Sequence, residues 1–154
     1  MRILFVCLGN ICRSPTAEAV MRGLVEERGL TGQIEIDSAG TGDWHIGKPA
    51  DSRAIAAAAS RGVELTSRAR QVARADFDEF DLIVAMDSSN HENLLALADG
   101  DDGKLRLLRS YGGDEDPDVP DPYFGGDEGF EEVLDIIERN CGLLLDEIEA
   151  GRLG

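Results

Sequence analysis

The feature that most constrains this chain is its first sixteen residues. Ile3 to Val6 is an apolar, β-favouring run that stops at Cys7. A short loop with Gly9 and Asn10 follows, then Arg13, and Ser14-Pro15 reads as the N-cap and first position of a helix. Strand, tight loop and helix N-terminus together offer backbone N–H groups and a positive dipole end to an oxyanion. Here the loop opens on a thiol and closes beside a guanidinium.

The residue types indicate the chemistry. A thiol attacks as its thiolate, a form favoured beside a helix N-terminus and an arginine. Ser14 is placed to donate to the same sulfur. The planar fork of Arg13 matches two oxygens of a phosphoryl group, and the loop amides from Leu8, Gly9, Asn10, Ile11 and Cys12 to Arg13 and Ser14 are candidates for the rest. Gly9 permits a positive φ, and Asn10 tolerates left-handed backbone. The combination predicts Cys7 attacking phosphorus while the loop holds the equatorial oxygens. A purely structural Cys7 in the core would not require Gly, Arg and Ser at these offsets.

Downstream, strand-like and helical stretches alternate. Ala17, Val20, Met21, Leu24 and Val25 have helical spacing, with Gly29 as a C-cap, and Gln33 to Asp37 alternates as a second strand. Pro49 to Arg61 is alanine-rich and helical. Leu82 to Met86 reads as a buried parallel strand, Asp87-Ser88-Ser89 starts a helix through Leu97, and Leu105 to Leu108 is a fourth strand. A Pro/Gly/Asp loop from Gly112 to Gly126 precedes a last helix over Phe130 to Glu149, where Cys141 sits on the apolar stripe. The pattern predicts an α/β fold, a four-stranded parallel sheet with helices on both faces, as one domain over residues 1–154. Ligands of such sheets bind beyond the carboxyl ends of the strands, and Cys7, Ser38 and Asp87 are all expected just after strand ends.

Charge is uneven in a chain of net charge −16. Residues 1–75 hold ten Lys and Arg against eight Asp and Glu, and residues 76–154 hold five against twenty-three. The half with the anion loop has shed the excess negative charge. The overall sign disfavours nucleic acid and anionic membranes as partners. No apolar run reaches the length of a membrane span. Three cysteines, two in one loop, argue against a disulfide framework and for a reducing cytoplasm. The two histidines are far apart and predict no metal site, and no dinucleotide fingerprint implies a cofactor. A monomer is the simplest expectation.

The stretch from Val6 to Glu18 resembles the phosphate loop of the low-molecular-weight protein tyrosine phosphatases, and the resemblance runs to the C-terminus. It implies a phosphotyrosine-containing protein substrate, no cofactor, and Asp121 in Asp121-Pro122-Tyr123 as general acid. By itself Asp121 reads as a turn residue, and Asp118 is its local competitor without the following Pro-Tyr. The block from Gly42 to Asp51 resembles the family's specificity loop, so Trp44 and Tyr123, with Ile11, are expected to contact the substrate ring. His45 is expected to be exposed and without a catalytic role. Asn10, Ser14 and Ser38 match residues that brace the loop, and Cys12 matches a second cysteine that forms a reversible disulfide with the nucleophile. Many relatives place a histidine where this chain has Ser67.

Three other readings compete with this one. An arsenate reductase resembles the same loop and fold but needs shuttling cysteines after the third strand, and the stretch from Asp87 to Gly103 has none. A non-catalytic phosphoprotein-binding module would typically lack the nucleophile or the acid. Relatives acting on phosphoarginine tend to place Thr at the position of Ile11.

Overall fold

A computed structural model describes residues 1–123 and 125–151. Phe124 and residues 152–154, which the single-domain expectation spans, lie outside the described residues. Strand β1 (Arg2–Cys7) forms the centre, with Ile3 to Val6 completely buried. It pairs in parallel with β2 (Glu35–Gly40) on one side and β3 (Leu82–Ala85) on the other, and β3 pairs with β4 (Leu105–Leu107). The order is β2-β1-β3-β4. Successive strands are therefore added on one side of β1 as β2 and on the other as β3 and β4, which puts the switch-point crevice at the carboxyl ends of β1 and β3.

Alternation along β1 builds two cores. Ile3, Phe5 and Cys7 face α1 (Arg13–Glu27) and α5 (Asp127–Glu149), while Leu4 and Val6 face Leu94 of α4 (Ser88–Leu97) together with Phe77 and Phe80. Helix α5 buries Phe130, Val133, Leu134, Ile137, Cys141, Leu144 and Leu145 at three- and four-residue spacing. Full burial of each large aliphatic side chain contributes about 1.5–3 kcal/mol. Helix α2 (Ser52–Ala59) is capped by Asp51, which accepts from the Arg53 N–H at 2.9 Å.

The predicted sheet and layers are present, with several local corrections. Ser38 lies inside β2, which runs on to Gly40. Helix α1 begins at Arg13 with Cys12 at the N-cap position, so Ser14 does not cap it and its hydroxyl turns inward. Residues 76–79 form a short helix, α3 (Asp76–Glu79), where only a connector was expected. Leu108 belongs to a 3₁₀ turn, and α5 starts before Phe130.

Candidate active site

After β1 the chain turns over the end of β2. Thr41 N–H donates to the Cys7 carbonyl and Gly42 N–H to that of Leu8, each at 2.9 Å. A Cβ on Gly40 would lie 2.8 Å from the Leu8 carbonyl oxygen, so only glycine lets the loop pass this close. The left-handed residue is Asn10, with φ of 56°. Gly9 serves a different purpose from the one its sequence suggests: a Cβ there would meet the His45 ring at 2.9 Å.

Behind the loop runs a buried polar chain. Cys7 Sγ lies 3.0 Å from Ser14 Oγ, and Asn10 N–H points at the same sulfur at 3.3 Å. Asn10 Nδ2 donates to Ser14 Oγ (2.8 Å) and Ser38 Oγ (3.0 Å), and its Oδ1 accepts from Arg70 N–H. Ser38 in turn donates to Glu18 Oε1 at 2.5 Å, and Glu18 pairs with Arg22 at 2.9 Å. Burial pushes the Glu18 carboxyl above its ordinary range, outweighing the Ser38 and Arg22 interactions that favour the anion. The expected braces Asn10, Ser14 and Ser38 thus meet in one network, which Glu18 extends. At the Ser67 segment, support comes from the Arg70 backbone.

Arg13 is buried, and its guanidinium is held rather than free. Nη1 donates to Asp87 Oδ2 at 2.5 Å and to the Val119 carbonyl at 3.0 Å, and Nη2 lies 3.5 Å from Asp121 Oδ2. Burial works against the charge of Arg13, but Cys7, Asp87 and Asp121 overcome it and raise the pKa above the usual arginine value. Val119 is fixed in turn by its N–H to the Met86 carbonyl at 2.8 Å. Asp118, the competitor, points elsewhere: its Oδ1 accepts from both the N–H and the hydroxyl of Ser88. Asp121 Oδ1 accepts from Tyr123 N–H, and Arg53 grips the Tyr123 carbonyl at 2.8 Å while lying over the Phe130 ring.

These elements enclose a cleft of about 260 Å³. Cys7, Cys12 and Arg13 line it together with Leu8, Gly9 and Ile11, and Trp44, His45, Asp121 and Tyr123 complete it. His45 is not the exposed loop residue its sequence suggests; it is half-buried, and its ring is tilted against Tyr123 at 6.2 Å. Burial first, then the negative groups Asp51, Cys7 and Asp121, push the Cys12 thiol up to about 12. Arg53, Glu18 and His45 escaped sequence reasoning as site residues, and Asp87, expected on the rim of the crevice, was not expected as the partner of Arg13. For Asp87 one signal existed, an Asp directly after a buried strand and three residues before Asn90.

Residues 2–152 match the family model described as low molecular weight phosphotyrosine protein phosphatase. The chain is 51% identical over 151 residues to a low molecular weight protein-tyrosine-phosphatase of Streptomyces coelicolor, covering 93% of this chain and 91% of that one. A solved protein tyrosine phosphatase from Entamoeba histolytica, with Hepes in its active site, superposes with a TM-score of 0.94 at 42% identity and covers 99% of each chain. A Drosophila arginine phosphatase shares the fold, with a TM-score of 0.89 at 36% identity over 96% of this chain and 98% of that one. Of the described helices, none is long and apolar enough to cross a membrane. The chain belongs to the low molecular weight phosphotyrosine protein phosphatase family, whose members are cysteine-dependent phosphatases.

Proposed function

We propose that the chain hydrolyses phosphotyrosine in protein substrates through a cysteinyl-phosphate on Cys7. The observation that carries this reading is the convergence of the Cys7 sulfur, the Arg13 guanidinium and the Asp121 carboxyl on one cleft. Ser14 hydroxyl and Asn10 N–H stabilise the Cys7 thiolate. The N-cap residue Cys12 makes no side-chain cap to α1, which leaves the loop and first-turn amides between Leu8 and Ser14, that of Asn10 excepted, for the phosphoryl oxygens. The sulfur attacks phosphorus in line, and Arg13 stabilises the charge that builds on the equatorial oxygens. Those oxygens take over Nη2 and release Asp121, which protonates the departing phenolate and then, ionised, activates water to cleave the S–P bond.

Apolar Ile11 with Trp44 and Tyr123 forms walls suited to a phenyl ring, which favours phosphotyrosine over phosphoarginine. This reading takes the protein as a monomer, and its three free thiols suit a reducing cytoplasm. Parallel turnover measurements on matched phosphotyrosine, phosphoserine and phosphoarginine peptides test the reading. The expected order has phosphotyrosine at least about 100-fold ahead in kcat/KM. Equal or faster phosphoarginine turnover would overturn it.

A further inference from the structure

Four large apolar side chains stand out as exposed among the described residues: Leu8, Trp44, Ile46 and Tyr123. All four sit on the three loops around the cleft mouth. Apolar surface gathered at one place on a strongly charged protein marks a contact surface. Two of the four, Leu8 and Trp44, have a second role. A groove of about 330 Å³ lies on their far side, so that these two side chains line both it and the catalytic cleft.

The rest of that groove is made by the end of β2, the segment before α3 and the exposed side of α4. Thr41 and Val72 contribute from the first two, and Asn93 and Leu97 from α4. None of the described residues that line it is charged, although the chain carries a net −16. Gln71 is already engaged, donating from Nε2 to the Thr41 carbonyl at 3.2 Å. What the groove offers a ligand is apolar contact from Leu8, Trp44 and Leu97, with Val72 buried at its floor and the uncharged polar residues Thr41, Gln71 and Asn93 beside them. An acidic side chain placed there would lose hydration in the field of a negative protein, and Arg74, which reaches the Leu97 carbonyl, is already paired with Asp99.

We propose that this groove is a subsite for an uncharged apolar side chain of the substrate, one or two residues from the phosphotyrosine. It rests on the phosphotyrosine reading above. Continuity is the reason for committing to this occupant. A ring in the cleft lies against one side of the Leu8–Trp44 wall, and adjacent residues of an extended peptide advance about 3.3–3.6 Å each, so a near neighbour reaches the other side. The subsite would select among phosphoproteins by the residue beside the phosphotyrosine and would leave the chemistry at Cys7 unaltered.

Two short phosphotyrosine peptide series test this, with leucine, asparagine or aspartate placed within two residues on the N-terminal side in one and the C-terminal side in the other. Free phosphotyrosine serves as the reference for the chemistry. On one side, leucine is expected to exceed aspartate in kcat/KM by at least about fivefold, as expected for partial burial of one aliphatic side chain. In Asn93→Trp, which fills the groove from an exposed helix position, that ratio is expected to fall toward one, and Asn93→Asp should penalise the aspartate peptide further. Equal rates for leucine and aspartate on both sides, or a leucine preference undiminished in Asn93→Trp, would overturn the subsite. Failure to turn over any phosphotyrosine compound would instead overturn the activity on which it rests.

Discussion

The two oxygens of Asp87 serve different elements: Oδ2 holds Arg13 Nη1 at 2.5 Å, and Oδ1 caps α4 by accepting from Asn90 N–H at 2.7 Å. One carboxylate thereby ties the end of β3 to the guanidinium at the end of the phosphate loop. Because Arg13 is buried, its orientation depends on this partner and on the Val119 carbonyl.

Asp87→Asn keeps a capping oxygen and removes the charge. It should lower kcat by about tenfold or more and destabilise the fold by up to about 3 kcal/mol, because a buried guanidinium loses its nearer counter-ion and keeps only the longer contact to Asp121. Inorganic phosphate supplies the missing negative charge, so it should raise Tm more in the variant than in the wild type. Thermal unfolding with and without phosphate checks this, and equal shifts would contradict it.

Asp121 and Asp118 are separable by mutation. Asp121→Asn should slow phosphotyrosine hydrolysis by roughly 100-fold, with a smaller first-step penalty for an ester whose leaving group is a stable anion. Asp118→Asn should keep most of the activity, since that carboxylate is committed to Ser88. Pre-steady-state rates for both ester types decide the matter. An equal loss in both variants would remove Asp121 from the acid's role.

The fold and the core of the site were legible because their signals are local. The apolar run from Ile3 to Val6, the helical spacing from Ala17 to Val25 and the stop at Cys7 are read within a few residues. What stayed hidden depends on partners far apart in the chain. Asp87 meets Arg13 across 74 residues, Arg53 meets the Tyr123 carbonyl across 70, and Glu18 meets Ser38 across 20. His45 was misread because its burial is created by Gly9 and Tyr123, which the fold brings to it. Ser14 was misread as a cap because Ser-Pro has that local meaning, whereas here the sulfur of Cys7 competes for its hydroxyl.

Glu18 should give the fold a measurable pH dependence. Its carboxyl is raised by burial, so the stability it contributes is full in the protonated form at low pH and is lost as pH rises through the folded value. Glu18→Gln keeps an acceptor for Ser38 and cannot ionise. The Tm of the variant relative to wild type should therefore rise between pH 5 and pH 8. A constant difference across that range would mean that Glu18 ionises as it does in the unfolded chain.

Cys12 is the proposed redox partner of Cys7. Peroxide would oxidise the Cys7 thiolate to a sulfenic acid, and Cys12 would then close a disulfide with release of water. Because burial, with Asp51 and Asp121, holds the Cys12 thiol above its ordinary range, the closing step should speed up by as much as about tenfold per pH unit between 7 and 9. Recovery of peroxide-treated enzyme by dithiothreitol should be lost in Cys12→Ser. Undiminished recovery in that variant would exclude the pairing.

The covalent step on Cys7 is tested most directly by trapping it. Enzyme mixed with a phosphotyrosine peptide is quenched by denaturation within one turnover, digested, and analysed by mass spectrometry. The phosphoryl group is expected on the Cys7 sulfur, in greater amount in Asp121→Asn for an ester with a good leaving group, and absent from Cys7→Ser, which should have no turnover. Phosphate on another side chain, or turnover in Cys7→Ser comparable to wild type, would contradict the mechanism.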